Sequence, residues 1–122
     1  MAVVTLGWVA LAPLAVLSAS PASAVTIGTA QVVPGTLQLQ GVSCPSATTC
    51  LAVGYTSSFQ GVVVPITNGT PGAPQVVPGT ALFLAVSCPS VTTCLAVGSD
   101  SSFSFGVMVP ITNGTVGAAQ MV

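Results

Sequence analysis

The sequence predicts an all-β chain built from two copies of one four-stranded unit. The phrase Val42-Ser-Cys-Pro-Ser-Ala-Thr-Thr-Cys-Leu-Ala-Val-Gly54 returns as Val86-Ser-Cys-Pro-Ser-Val-Thr-Thr-Cys-Leu-Ala-Val-Gly98, changed only where Ala47 becomes Val91. Its flanks return too: Gln31-Val-Val-Pro-Gly-Thr36 as Gln75-Val-Val-Pro-Gly-Thr80, and Pro65-Ile-Thr-Asn-Gly-Thr70 as Pro110-Ile-Thr-Asn-Gly-Thr115. The period is 44 residues, rising to 45 where Ser58-Phe-Gln-Gly61 becomes Ser102-Phe-Ser-Phe-Gly106, an insertion of the kind loops accept. Val, Ile and Thr dominate, and Gly or Pro falls every few positions, which disfavours helix and favours short strands.

Taken in order, residues 1–24 read as a secretory signal. An apolar run from Val3 to Leu17 leads to Ala22-Ser-Ala24, a small-x-small cleavage pattern. The run is broken by Pro13, is shorter than the roughly 20 residues a span requires, and has no Lys or Arg before it. Cleavage after Ala24 and a secreted or extracellular product are expected; the alternative is a membrane anchor left uncleaved. Residues 25–36 are a partial repeat, the last strand of a preceding unit. Residues 37–80 are the first repeat and 81–122 the second, truncated at its end where Gln120-Met-Val122 restarts the Gln-Val-Val phrase.

Within the first repeat the expected strands are Leu37 to Cys44, Cys50 to Tyr55, Val62 to Thr67 and Gln75 to Val77. Pro45 to Thr49 makes the first turn, Ser57 to Gly61 the second, and Asn68-Gly69 is a strong turn signal between the third and fourth. Four strands in 44–45 residues match a β-propeller blade, so the expected architecture is two full blades and a partial N-terminal strand. Gln38 and Gln40 become Leu82 and Leu84, which suggests a strand face that meets solvent or only a partial neighbour in the first blade and a preceding blade in the second.

The Gly41-Val-Ser-Cys-Pro-Ser-Ala-Thr-Thr-Cys-Leu-Ala-Val-Gly54 phrase followed by Ile66-Thr-Asn-Gly-Thr70 resembles secreted bacterial repeat proteins of the kelch-like and BNR (sialidase-type) propeller groups. The likeness extends over residues 31–122. It departs from the sialidase Asp-box, because Thr67-Asn-Gly-Thr70 has neither its Asp nor its Trp. Such a likeness implies a propeller fold, and fold alone implies little about function.

Composition excludes much of chemistry. The chain of 122 residues has no Lys, Arg or His and a single acid, Asp100. Phosphate-directed binding of nucleic acid and polybasic attachment to membranes are therefore not expected. A glycosidase needs two carboxylates and a calcium cage several oxygen ligands, so Asp100 reads as a solvated turn residue. Serine and threonine hydroxyls lack a base to activate them. No enzyme activity, no cofactor and no metal are expected.

The Cys-x5-Cys pairs are the most specific feature. Cys44 ends one strand and Cys50 starts the next, so a short turn can bring them within disulfide reach, as for Cys88 and Cys94. Of three connectivities the one made of two local bridges makes each repeat self-sufficient, free thiols being the alternative. Zinc spacing is absent. Each local bridge is worth about 2 kcal/mol in the chain-entropy model. Asn68-Gly-Thr70 and Asn113-Gly-Thr115 satisfy the glycosylation sequon and, equally, a turn. Phe59, Phe103 and Phe105 mark a candidate ligand loop, joined by Tyr55; Phe83 reads as core.

The expected role is that of a non-catalytic exported segment with a structural or interaction function at or outside the cell surface, a fragment of a longer propeller. It would self-associate through exposed blade faces or engage a cell-surface polymer. Two alternatives belong to other classes: a carbohydrate- or surface-binding module using the Phe-bearing loops, and a self-assembling β-solenoid or fibre component.

Overall fold

Two antiparallel sheets, one for each repeat, make up the structure, a computed structural model that describes residues 28–122. The signal-peptide expectation for residues 1–24, and residues 25–27 of the expected partial repeat, lie outside the described residues. Residues 28–37 form no strand. The account below concerns Val32–Val122, which forms one compact unit.

The first sheet is a meander of β1 (Gln38–Ser43), β2 (Thr49–Tyr55) and β3 (Gly61–Thr67), with β4 (Thr70–Pro71) and β5 (Gln75–Val76) both paired to β3. The second repeats this plan with β6 (Thr80–Ser90), β7 (Thr93–Asp100) and β8 (Gly106–Thr112), then β9 (Thr115–Val116) and β10 (Gln120–Met121) on the edge of β8. The all-β expectation holds, and the first three strands of each unit fall close to where the pattern places them, except that β6 runs on through Pro89 and Ser90 into the expected turn. The two sheets do not close on themselves.

The fourth strand is where sequence and structure differ. It begins earlier than expected, at Thr70, and is split around residues 72–74. The cause lies across the ladder in β3: Pro65 has no N–H to donate to an outer strand. Only its carbonyl is used, accepting the Gly72 N–H at 2.7 Å, and Pro110 accepts from Gly117 at 2.8 Å in the same way.

Turn chemistry sets each connection. Asn68 and Gly69 have φ of 51° and 78° between the paired residues Thr67 and Thr70, a type I′ hairpin; Asn113 and Gly114 repeat it. In the connector from β5 to β6, Pro78-Gly79 forms the bend, Gly79 with φ of 82°. The buried Thr80 hydroxyl donates to the Val77 carbonyl at 2.7 Å and holds that bend closed. Thr36 does the same for Val33 at 2.8 Å.

A bulge interrupts β1 between Leu39 and Gly41, and another interrupts β6 between Phe83 and Ala85. Opposite them stand Gly54 and Gly98, where any Cβ would collide with the carbonyl oxygens of Gln38 and Leu82. The final glycine of each Leu-Ala-Val-Gly phrase is thus required by a close backbone approach.

The core lies between the sheets. Val53 and Val63 from the first meet Phe83, Cys88, Cys94, Ala96, Val109 and Ile111 from the second, with Val77 of the connector among them. On the opposite face of the first sheet Ala52, Val62 and Val64 are also buried, with Val33, Leu39 and Ile66 packed against them. These bulges correct the expectation for the leading strand. Gln38 is exposed and Leu82 half-buried, but Leu84 is 57% exposed, while Phe83 is fully buried. The change that marks the covered face is therefore Leu39 to Phe83, since the bulge turns Leu84 outward.

Candidate functional site

The two disulfides form as the spacing suggests, Cys44–Cys50 and Cys88–Cys94, and no described cysteine is free. Both hairpins use the same local device to bring the thiols together. Ser46 Oγ accepts the N–H groups of Thr48 and Thr49 at 3.3 and 3.1 Å, and Ser90 Oγ accepts that of Thr92 at 3.3 Å. The turn is then tied to the next strand, as Asn68 N–H donates to Thr48 O and Asn113 N–H to Thr92 O, both at 2.8 Å. Structural disulfides of this kind persist mainly in oxidising environments.

The bridges differ in surroundings. Cys88 and Cys94 are buried in the inter-sheet core, whereas Cys44 is exposed and Cys50 half-buried. Cys50, Leu51 and Pro65 of the first unit face Cys88, Cys94 and Ile111 of the second across a cleft of about 90 Å³. Its lining is almost wholly apolar. One polar bond joins the units there, from Cys88 N–H to Ser43 Oγ at 3.0 Å. At Gly41 a Cβ would lie 3.2 Å from Ala85 Cα, so β1 and β6 approach closely through backbone.

At a second location the structure gathers aromatic rings. Tyr55 and Phe59 stack with centroids 5.6 Å apart and planes 8° from parallel, and Phe59 meets Phe103 edge-on at 6.2 Å. The rings come from both repeats. Phe59 and Phe103 are each more than half exposed, as is Phe105, which takes no part in the stack. The Tyr55 hydroxyl donates to Gln38 Oε1 at 2.7 Å beside them, a pairing that the strand-face pattern of Gln38 does not indicate.

The loops are built so that these phenyls point outward. Phe59 N–H donates to Thr56 O and Phe103 N–H to Asp100 O, closing a tight turn in each. The Phe residues then take φ of 56° and 60°, a region bulky side chains rarely enter. Buried Thr56 holds the first loop by accepting the N–H groups of Ser58 and Gln60 at 3.2 Å. Asp100 replaces it in the second loop: its carboxylate accepts from Ser102 Oγ at 2.6 Å and from the N–H groups of Ser104 and Phe105 at 2.9 Å. The Ser102 hydroxyl, then the Phe105 N–H, hold its pKa below the ordinary aspartate value.

Among the described residues no group of three His, Cys, Asp or Glu side chains could hold a metal, and no helix is long and apolar enough to cross a membrane. No family model matches the chain, and no characterised protein or solved structure matches it either.

Proposed function

We propose that the chain is a non-catalytic, exported β-repeat segment whose units are blades of a propeller-type scaffold, with a structural or interaction role at or outside the cell surface. The observation that carries this reading is the inter-unit contact. Two near-identical sheets stack face to face through apolar residues that recur in both repeats, the arrangement by which repeat proteins extend a core. The lone carboxylate is committed to its own loop, which supports a role other than acid–base catalysis. The likeness of the double-cysteine phrase to kelch-like and BNR-type repeats points the same way.

The test is the mass of the protein recovered after expression with its own N-terminus in an exporting host. Loss of residues 1–24 and a gain of four alkylatable thiols only on reduction are expected. A full-length intracellular product with four free thiols overturns the reading.

A second reading is favoured by the ring cluster. Aromatic faces held outward by loops of both repeats, with Gln38 and Tyr55 hydroxyl and amide groups beside them, suit the apolar faces of sugar rings on a cell-surface polymer. Binding to neutral polysaccharide that disappears in a Phe59→Ser, Phe103→Ser variant with both disulfides intact would establish it. Equal retention of both proteins on the polymer would remove it.

A further inference from the structure

We propose that the outer face of the second sheet, formed by Leu95, Val97, Met108 and Val122, is a docking surface for the disulfide-bearing face of a further unit of this same repeat. The proposal rests on the stacked-blade reading and names the partner of that stack.

The inter-sheet contact is its template. In the first unit the outward-facing set is Leu51, Val53, Val63 and Val77, and the second unit's disulfide face closes over it. The counterparts one period later are Leu95, Val97, Met108 and Val122. Val53 is 0% exposed and Val97 38%; Val77 is 1% exposed and Val122 83%. The backbone is nevertheless the same: Val77 N–H donates to Gly61 O at 2.9 Å, and Val122 N–H to Gly106 O at 3.0 Å.

The burial pattern of whole strands agrees. In β3 four successive residues from Gly61 to Val64 are buried, so both faces are covered. In β7 and β8 buried residues alternate with more accessible ones, so a single face is covered. The polar fitting recurs as well. Ser43 Oγ receives Cys88 N–H in the existing contact, and its counterpart Ser87 is exposed. None of these residues carries charge, so nothing repels an identical apolar face.

One position is less permissive. Ala85 stands where Gly41 does, and a Cβ at Gly41 would lie 3.2 Å from the backbone of the next unit. An arriving unit must therefore sit a few tenths of an ångström further out at that point.

The experiment compares the full chain with a version extended by a second copy of residues 78–122, so that proline follows Val122 as Pro78 follows Val77. Thermal unfolding is followed for each, alone and with Val97→Asp. In the full chain Val97→Asp leaves the melting temperature nearly unchanged. In the extended chain it lowers it about as far as Val53→Asp does in the full chain, with Val97→Thr giving the same ordering in smaller steps.

Equal effects of Val97→Asp in both chains overturn the proposal, as does an added unit that stays unfolded beside an intact parent. So does a dimer of the full chain that Val97→Asp dissociates, which would assign the face to pairing with its own equivalent. If Val53→Asp fails to destabilise the full chain, the stacked-blade reading itself fails, a result distinct from these.

Discussion

Single residues here do work that their neighbours cannot take over. Phe83 is the largest fully buried side chain among the described residues, set between the sheets. Phe83→Ala should cost about 3–5 kcal/mol by removing its transfer energy and leaving a cavity; urea unfolding would measure it. Gly69, at φ of 78° in a type I′ turn, illustrates a backbone requirement instead. Gly69→Ala forces a Cβ into the left-handed region and should cost about 1 kcal/mol, read from the same curves.

Asp100 adds a pH dependence. Because its pKa is lowered in the folded state, its loop contribution is fully present above the unfolded value of about 3.9 and is lost as pH falls through the folded one. An NMR titration of the Phe105 amide should show a midpoint below that value, and none in Asp100→Asn. A midpoint above it would contradict the hydrogen bonds described.

At the scale of the element, the two disulfide hairpins have the same sequence plan and different environments. Removing Cys44–Cys50 as an alanine pair should cost about 2 kcal/mol, chiefly through the longer-ranging unfolded chain. Removing Cys88–Cys94 should cost more, because the alanines also leave unfilled volume in the inter-sheet core. Partial reduction followed by mass mapping should likewise find Cys44–Cys50 opened first, as Cys44 is exposed and the second pair buried. Equal losses and equal reduction rates would mean that the second disulfide is not packed as described.

Across Val32–Val122, two sheets share the inter-sheet core. Since that core takes Val53, Val63 and Val77 from one repeat and Phe83, Ala96 and Val109 from the other, neither sheet should unfold alone. Calorimetry should give a single transition whose calorimetric and van't Hoff enthalpies agree; two transitions would mean that the contact is weaker than its burial indicates. With Asp100 as the only acidic side chain and no basic one, stability should also be nearly flat across neutral pH.

Much of this was readable from the chain alone because it is local. Strand existence follows from β-branched runs between breakers, the I′ turns from Asn-Gly, and the disulfides from cysteines at the two ends of a short turn. The repeat announced itself by identity at a fixed period. Other features were hidden because they depend on what lies across the sheet. The split outer strand is caused by a proline one strand away, and the bulges that turn Leu84 out and Phe83 in need Gly54 and Gly98 opposite them.

The ring cluster was half legible. Phe59 and Phe103 could be placed in equivalent loops, but their contact required both units to be stacked. Within the repeated phrase itself nothing marks which copy is covered: Val53 and Val97 occupy the same place in it, and only packing makes one core and the other surface. Local spacing decided the parts of this protein, because turns and bridges act over a few residues. Tertiary structure decided the faces, because burial depends on a neighbour that local sequence does not contain.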